Sequence, residues 1–243
     1  MVLRLSGGRR LHSPVGSTAR PTPSRVRLAV MNLLAGRLEG CRWLDLFSGS
    51  GVMACEALQR GAAEVVAVER DRRHVAVTRR NLEAVGGATV AGRWPPEREG
   101  EDQLRVIGAE VISWLRRPGN ARPFDLIYAD PPYREGLYGG VAAGVLEQGW
   151  LAPGGLLVWE CASDALPELP PGWLCHDQRR YGSSTIQLLE PQLLEPQKPA
   201  GSAAQGAAAA VLVPGGHEEA NQGHGDQTEH DAAEQGFDHG ETP

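Results

Sequence analysis

Along this 243-residue chain, apolar residues come in two alternating arrangements. Short, almost unbroken runs occur at residues 41–46, 65–69, 104–108, 126–130 and 156–161, the pattern of strands buried on both faces. Between them lie stretches in which apolar positions recur every three to four residues, at 25–36, 52–60, 72–85, 110–117 and 137–148, the period of helices packed along one side. After the last run, 173–178 and 185–189 flank Tyr181-Gly182 and read as a closing antiparallel hairpin. Regular alternation of strand and helix predicts an α/β fold: a mostly parallel, Rossmann-like sheet with helices on both faces and the antiparallel hairpin at its C-terminal end.

Polar residues interrupt this pattern at one recurring place, the carboxyl ends of the strands, where open α/β sheets bind ligands. Leu44-Asp45-Leu46-Phe47-Ser48-Gly49-Ser50-Gly51 runs from a strand into a glycine turn whose residues can adopt positive φ and let a nucleotide-like ligand approach the backbone. Glu69 closes the next strand 18 residues after Gly51, a position from which a carboxylate can accept both hydroxyls of a ribose. Glu110 follows the third strand. Asp130-Pro131-Pro132-Tyr133 closes the fourth. An amino group on a base or amide is a poor nucleophile until acceptors polarise its N–H bonds, and Asp130 with the Pro131 carbonyl can be those acceptors. Pro131 and Pro132 lack N–H groups and fix the backbone direction, while Tyr133 offers a face for a flipped base. The same turn also fits a dinucleotide fingerprint loosely, as Gly49-x-Gly51-x-x-Ala54, so an NAD-dependent oxidoreductase is the outside alternative. Asp45 inside the strand argues against it. That acid suits the ammonium of S-adenosylmethionine, and a dinucleotide site has no use for Asp-Pro-Pro-Tyr.

These motifs resemble the class I S-adenosylmethionine-dependent methyltransferases that act on amino groups. Within them, Gly7-Gly8-Arg9-Arg10, then Arg20-Pro21-Thr22-Pro23-Ser24-Arg25-Val26-Arg27, and Tyr181-Gly182-Ser183-Ser184-Thr185 are similar to the RsmD family of 16S ribosomal RNA guanine-N2 methyltransferases. The resemblance covers about residues 1–190. It implies that S-adenosyl-L-methionine is held by Asp45, Phe47, Gly49, Gly51, Glu69, Arg70 and Glu110. It further implies that Asp130, Pro131, Pro132 and Tyr133 form the catalytic motif, and that Arg9, Arg10, Arg20, Arg25 and Arg27 contact RNA. The expected partner is 16S rRNA or a small-subunit assembly particle, with no metal, and a monomer suffices for the fold. Three departures stand out: a shortened first hairpin, an inserted polar stretch at 88–103 that reads as a surface loop, and Glu110 where the family pattern has Asp or Asn.

Composition changes the picture in two places. The last 53 residues hold nine acids against one base, Lys198, a charge of −8; since the whole chain is −6, the first 190 residues carry +2. Poor in aromatics and rich in Gly, Ala, Gln and His, residues 191–243 read as a disordered acidic tail, and His217, His224, His230 and His239 within it as a solvated tract rather than a metal site. Residues 1–37 contain seven arginines and no Asp or Glu, which suits RNA phosphates; a transit peptide is the competing reading of this segment. The domain plan is therefore 1–40 for RNA contact and entry helix, 41–190 for methyl transfer, and 191–243 for the tail. Cys41, Cys55, Cys161 and Cys175 form no paired motif, and neither a secretory signal nor a membrane span is legible, so a cytoplasmic protein is expected. Methylation of DNA adenine or of a protein glutamine would use the same catalytic edge, yet would need a recognition domain that residues 1–40 are too short to supply.

Overall fold

The computed structural model describes residues 3–14, 22–92, 94, 103–117, 122–133 and 135–192. A small antiparallel hairpin of β1 (Leu3–Arg4) and β2 (Arg10–Leu11) leads into helices α1 (Ser24–Leu33) and α2 (Ala35–Leu38). Then follow β3 (Arg42–Leu46), α3 (Val52–Gln59), β4 (Glu64–Glu69), α4 (Arg72–Gly86), β5 (Leu104–Gly108), α5 (Val111–Leu115), β6 (Phe124–Ala129), α6 (Tyr138–Glu147), β7 (Leu151–Ala162), β8 (Trp173–Tyr181) and β9 (Ser184–Pro191). β3 to β9 form one seven-stranded sheet in the order β5-β4-β3-β6-β7-β9-β8. The first five strands of that order run parallel and the last two are antiparallel. Strand order reverses between β3 and β6. A crevice therefore opens at their carboxyl ends.

Burial on both faces is what made the strands read as apolar runs. Trp43, Val65, Ala67, Leu126, Tyr128 and Val158 face a core shared with the N-terminal hairpin, α1, α3 and α4. Leu44, Leu46, Ile127, Ala129, Leu157 and Trp159 face the other core, under α5 and α6, where Trp114 and Trp150 stack with centroids 4.3 Å apart. Stacked aromatic pairs add about 0.5–1.5 kcal/mol beyond the area they bury.

Several elements differ from the sequence expectation. The entry helix 25–36 is interrupted at Leu34 (φ −96°, ψ 4°), and a separate turn, α2, redirects the chain so that Leu34 and Leu38 both bury. β7 begins at Leu151 rather than 156, because Leu151 pairs with Phe124 across a register shift that Pro153-Gly154-Gly155 disguise. The stretch 88–103 is more than a surface loop where it is described. Val90 is buried, Ala91 bridges to Arg105 alongside β5, and the Trp94 ring packs 5.7 Å from Trp150.

Charges are arranged asymmetrically. At the amino edge of the sheet the carboxylates have cations: Glu64 meets Arg42 at 2.8 Å and Arg105 at 3.1 Å. At the carboxyl edge Asp45, Asp130 and Glu160 lie together, and among the described residues none of the three pairs with a cation.

Candidate active site

The carboxyl edge opens into a cleft of about 830 Å³ lined by Asp45, the 47–50 turn, Glu69, Glu110, Asp130 to Tyr133, Glu160 and Ser184. Its first half is built on the turn after β3. Phe47 is the one non-glycine among the described residues with positive φ (61°), and Gly49 and Gly51 follow at 55° and 71°. Left-handed residues at a functional turn hold the backbone in a shape few side chains tolerate. A Cβ at Gly51 would sit 2.5 Å from Thr78 Cγ2, so this glycine also answers a close approach by α4. Two α4 side chains brace the turn from behind: Thr78 Oγ1 donates to the Gly49 carbonyl (2.9 Å) and Asn81 Nδ2 to that of Ser50 (2.9 Å).

The acids of this half are prearranged by backbone donors. Glu69 Oε2 accepts from the Gly49 N–H and Oε1 from the Asp71 N–H, each at 2.8 Å, which leaves lone pairs turned to the cleft. Asp45 is fully buried, accepts from the Ala54 N–H at 3.0 Å, and has its carboxyl pushed up to about 8, chiefly by burial. The Ala54 bond opposes that rise and the charge of Glu69 adds to it. A buried carboxylate of this kind favours any ligand that brings a positive charge. Glu110 caps α5, accepting from the Ile112 and Ser113 N–H groups at 2.9 and 2.7 Å. Its carboxylate is thus fixed by the helix, with a lone pair per oxygen still free to accept. Arg70 projects outward and pairs with Glu135 at 3.2 Å across the cleft mouth.

The second half is built on the end of β6. Asp130 stands one residue beyond the strand, largely buried at the wall of the cleft, with the Thr22 hydroxyl 3.5 Å from Oδ2. Burial holds its carboxyl well above the usual range, and the charges of Glu160 and Asp45 add to that. The Pro132 carbonyl accepts from the Glu135 N–H at 3.0 Å, which fixes the turn after the prolines. Tyr133 keeps 44% of its surface exposed, and partial burial pushes its phenol up, with the charges of Asp130 and Glu160 adding to the rise and Ser184 opposing it.

The expected RNA-contact arginines divide. Arg9 and Arg10 are exposed on the N-terminal hairpin, with Arg9 also capping the Ala84 carbonyl of α4. Arg25 is exposed on α1 and lies over the turn between β8 and β9: a Cβ at Gly182 would come within 2.4 Å of its Nη2. Arg27 turns inward and is unavailable to a phosphate. It is 5% exposed, donates to the Thr22 carbonyl at 3.3 Å and to the Arg4 carbonyl, and faces the buried Glu56 at 3.8 Å, which makes it a clamp between hairpin and core. Arg20 lies outside the described residues.

Comparison with known proteins identifies this architecture. The family model described as Conserved hypothetical protein 95 matches residues 5–190. The chain belongs to this family. It is 30% identical over 184 residues to ribosomal RNA small subunit methyltransferase D of Escherichia coli K12, covering 75% of this chain and 85% of that one. It is 31% identical over 182 residues to a putative rRNA methyltransferase, YlbH, of Bacillus subtilis 168, covering 74% and 92%. Among solved structures, a putative methyltransferase, yhhF, from Escherichia coli superposes with a TM-score of 0.64 at 29% identity, over 79% of this chain and 99% of that one.

Membership makes the protein a class I methyltransferase with S-adenosyl-L-methionine as methyl donor. The residues present fit that donor. It carries two positive charges, on sulfonium and ammonium, and the cleft presents Asp45, Asp130 and Glu160 without cations of their own among the described residues. Asp45, the braced turn, Glu69 and Glu110 are the groups that would hold it. Sequence reasoning missed Glu160, Thr78, Asn81 and Thr22. Only Glu160 left a signal, as the lone acid in the apolar run Leu156-Leu157-Val158-Trp159-Glu160-Cys161, since an acid fully buried in a central strand is rare without a partner or a task.

Proposed function

We propose that this protein transfers a methyl group from S-adenosyl-L-methionine to the N2 amino group of a guanine in 16S rRNA of the small ribosomal subunit. The observation that carries the reading is the convergence of Asp130-Pro131-Pro132-Tyr133 with Asp45, Glu69 and Glu110 on one cleft, in a chain whose relatives are named for small-subunit rRNA methylation. The donor supplies a methyl group already activated by the sulfonium, so the protein's work is alignment, exclusion of water and handling of the amino protons. Asp130 and the Pro131 carbonyl accept from the two N–H bonds, Tyr133 stacks against the flipped base, and Asp130 leads the released proton away. Arg9, Arg10, Arg25 and Arg20 hold the phosphates on either side. We take residues 1–40 as the RNA-contact segment, 41–190 as the catalytic domain and 191–243 as dispensable for transfer, in a cytoplasmic monomer. Among the described residues no helix is long and apolar enough to cross a membrane.

Labelled methyl transfer tests this. Offered unmodified small-subunit particles, duplex DNA and bulk protein in parallel, the enzyme labels the RNA of the particles alone; label on DNA or protein, with the RNA blank, contradicts the reading.

A further inference from the structure

The proposed reaction assigns Asp130 and leaves Glu160 without a task, although Glu160 is fully buried and lines the same cleft. β6 and β7 are parallel neighbours with Ala129 opposite Trp159, so Glu160 stands alongside Asp130 one step further along. Neighbouring strands lie about 4.8 Å apart and their opposed side chains share a face. The surroundings of the two acids differ. Glu160 Oε2 accepts from the Tyr128 hydroxyl at 2.6 Å; burial pushes the Glu160 carboxyl up, and that bond together with the nearby Ser184 and Tyr133 hydroxyls opposes the rise. Asp130 has one side-chain partner, the Thr22 hydroxyl, at 3.5 Å. Donors to a carboxylate favour its charged form. Two neighbouring carboxylates with unequal donors divide their roles, one remaining charged and the other taking the proton.

We propose that Glu160 is a positioning residue whose fixed negative charge makes Asp130 the proton acceptor of methyl transfer. This rests on the amino-methylation reading above. In the step, the lone pair of the amino nitrogen forms the bond to the methyl carbon while the sulfur–carbon bond breaks and its electrons stay on sulfur. One N–H proton passes to Asp130, leaving a neutral methylamino group and a neutral carboxylic acid, which returns its proton to water through the cleft before the next turnover. The titratable groups that face Asp130 are Asp45 on β3, Glu160 and Cys161 on β7, Tyr128 on β6, Tyr133 in the following turn and Tyr138 on α6. Burial holds the three phenols and the thiol protonated. The charges that act on Asp130 are therefore those of Asp45, which the donor's ammonium offsets, and of Glu160, which nothing offsets among the described residues. Removing a like charge lowers the proton affinity of what it faces.

The test is the acid limb of the kcat–pH profile. Because activity needs ionised Asp130, Glu160→Gln moves that limb to lower pH by about one unit or more, whereas Glu160→Asp, which keeps the charge, leaves it in place even if kcat falls. A loss of rate in Glu160→Gln that is the same at every pH, with the limb unmoved, overturns the proposal and leaves Glu160 a packing residue. Carboxyl carbon NMR on the unsubstituted protein decides independently of how the variant folds: Asp130, assigned by its absence in Asp130→Asn, titrates above Glu160, and the reverse order overturns the proposal. Absence of methyl transfer to RNA by the unsubstituted enzyme would instead strike the functional reading, and the titration order would still judge the carboxylate pair.

Discussion

Asp130 and Asp45 are both carboxylates pushed up by burial in one cleft, yet their tasks differ because their partners do. In the proposed reaction Asp130 faces the reacting amino group. Asp130→Asn keeps the shape and one acceptor but cannot take a proton, so kcat should fall about 10²-fold or more while affinity for S-adenosylhomocysteine, measured by calorimetry, stays within about twofold. Asp45 is the acid proposed to meet the donor's ammonium. Its pKa of about 8 in the folded chain lies above the unfolded value of about 3.9, so the native state binds more protons than the unfolded state between those limits, and ligand-free stability falls as pH rises from about 4 to 8. Bringing an ammonium to Asp45 reverses the shift, so binding of S-adenosylhomocysteine at pH 7 should release protons, a release that titrations in buffers of different ionisation enthalpy measure and that Asp45→Asn abolishes. At this scale position was legible and direction was not. Asp45, Glu69 and Asp130 announced themselves by standing at strand ends, whereas seven arginines in 37 residues gave no sign that Arg27 turns inward to Glu56. Glu160 hid inside an apolar run for the same reason: a periodicity tells which residues alternate, and only the sheet shows that this face leads into the cleft.

Among the elements, the turn from β3 to α3 depends most on its residue types. Gly51 combines positive φ with the close approach of Thr78, so Gly51→Ala should cost about 1–3 kcal/mol of stability and weaken S-adenosylhomocysteine binding at least tenfold; an unchanged melting temperature and affinity would show the turn to be adaptable. The strands were readable because burial on both faces writes them as apolar runs, and the helices because one face meets a core. β1 and β2, two residues each, carry no period, so only the resemblance led to a first hairpin there; what holds them is distant, the Ser6 N–H and hydroxyl on Glu56 (2.8 and 2.7 Å) and the His12 N–H on Asn81 (2.8 Å). Asn81 also holds the Ser50 carbonyl, so one side chain ties the N-terminal segment after β2 to the glycine turn after β3. Trp94 was misread with its neighbours because its polar, proline-rich surroundings outweighed a single aromatic that finds a place beside Trp114, Phe124 and Trp150.

At the scale of the whole molecule, labour is divided by charge. An acidic total of −6 coexists with a +2 catalytic portion, and the exposed arginines Arg9, Arg10 and Arg25 stand on the hairpin and helix that precede the methyl-transfer fold. Replacing Arg9 and Arg10 by Ala should lower the slope of log K against log salt for RNA binding by about one to two without altering donor affinity. Ending the chain after residue 196 should leave melting temperature and kcat/KM for particles unchanged, since the described core closes at β9. Nucleoside analysis by mass spectrometry tests which base is methylated and whether Asp130 is needed. Small-subunit particles isolated without this modification, incubated with donor and either the unsubstituted enzyme or Asp130→Asn, are digested and their nucleosides identified. The proposed reaction gives N2-methylguanosine with the first and essentially none with the second; a methylated adenine or cytosine, or equal N2-methylguanosine from both, would overturn it.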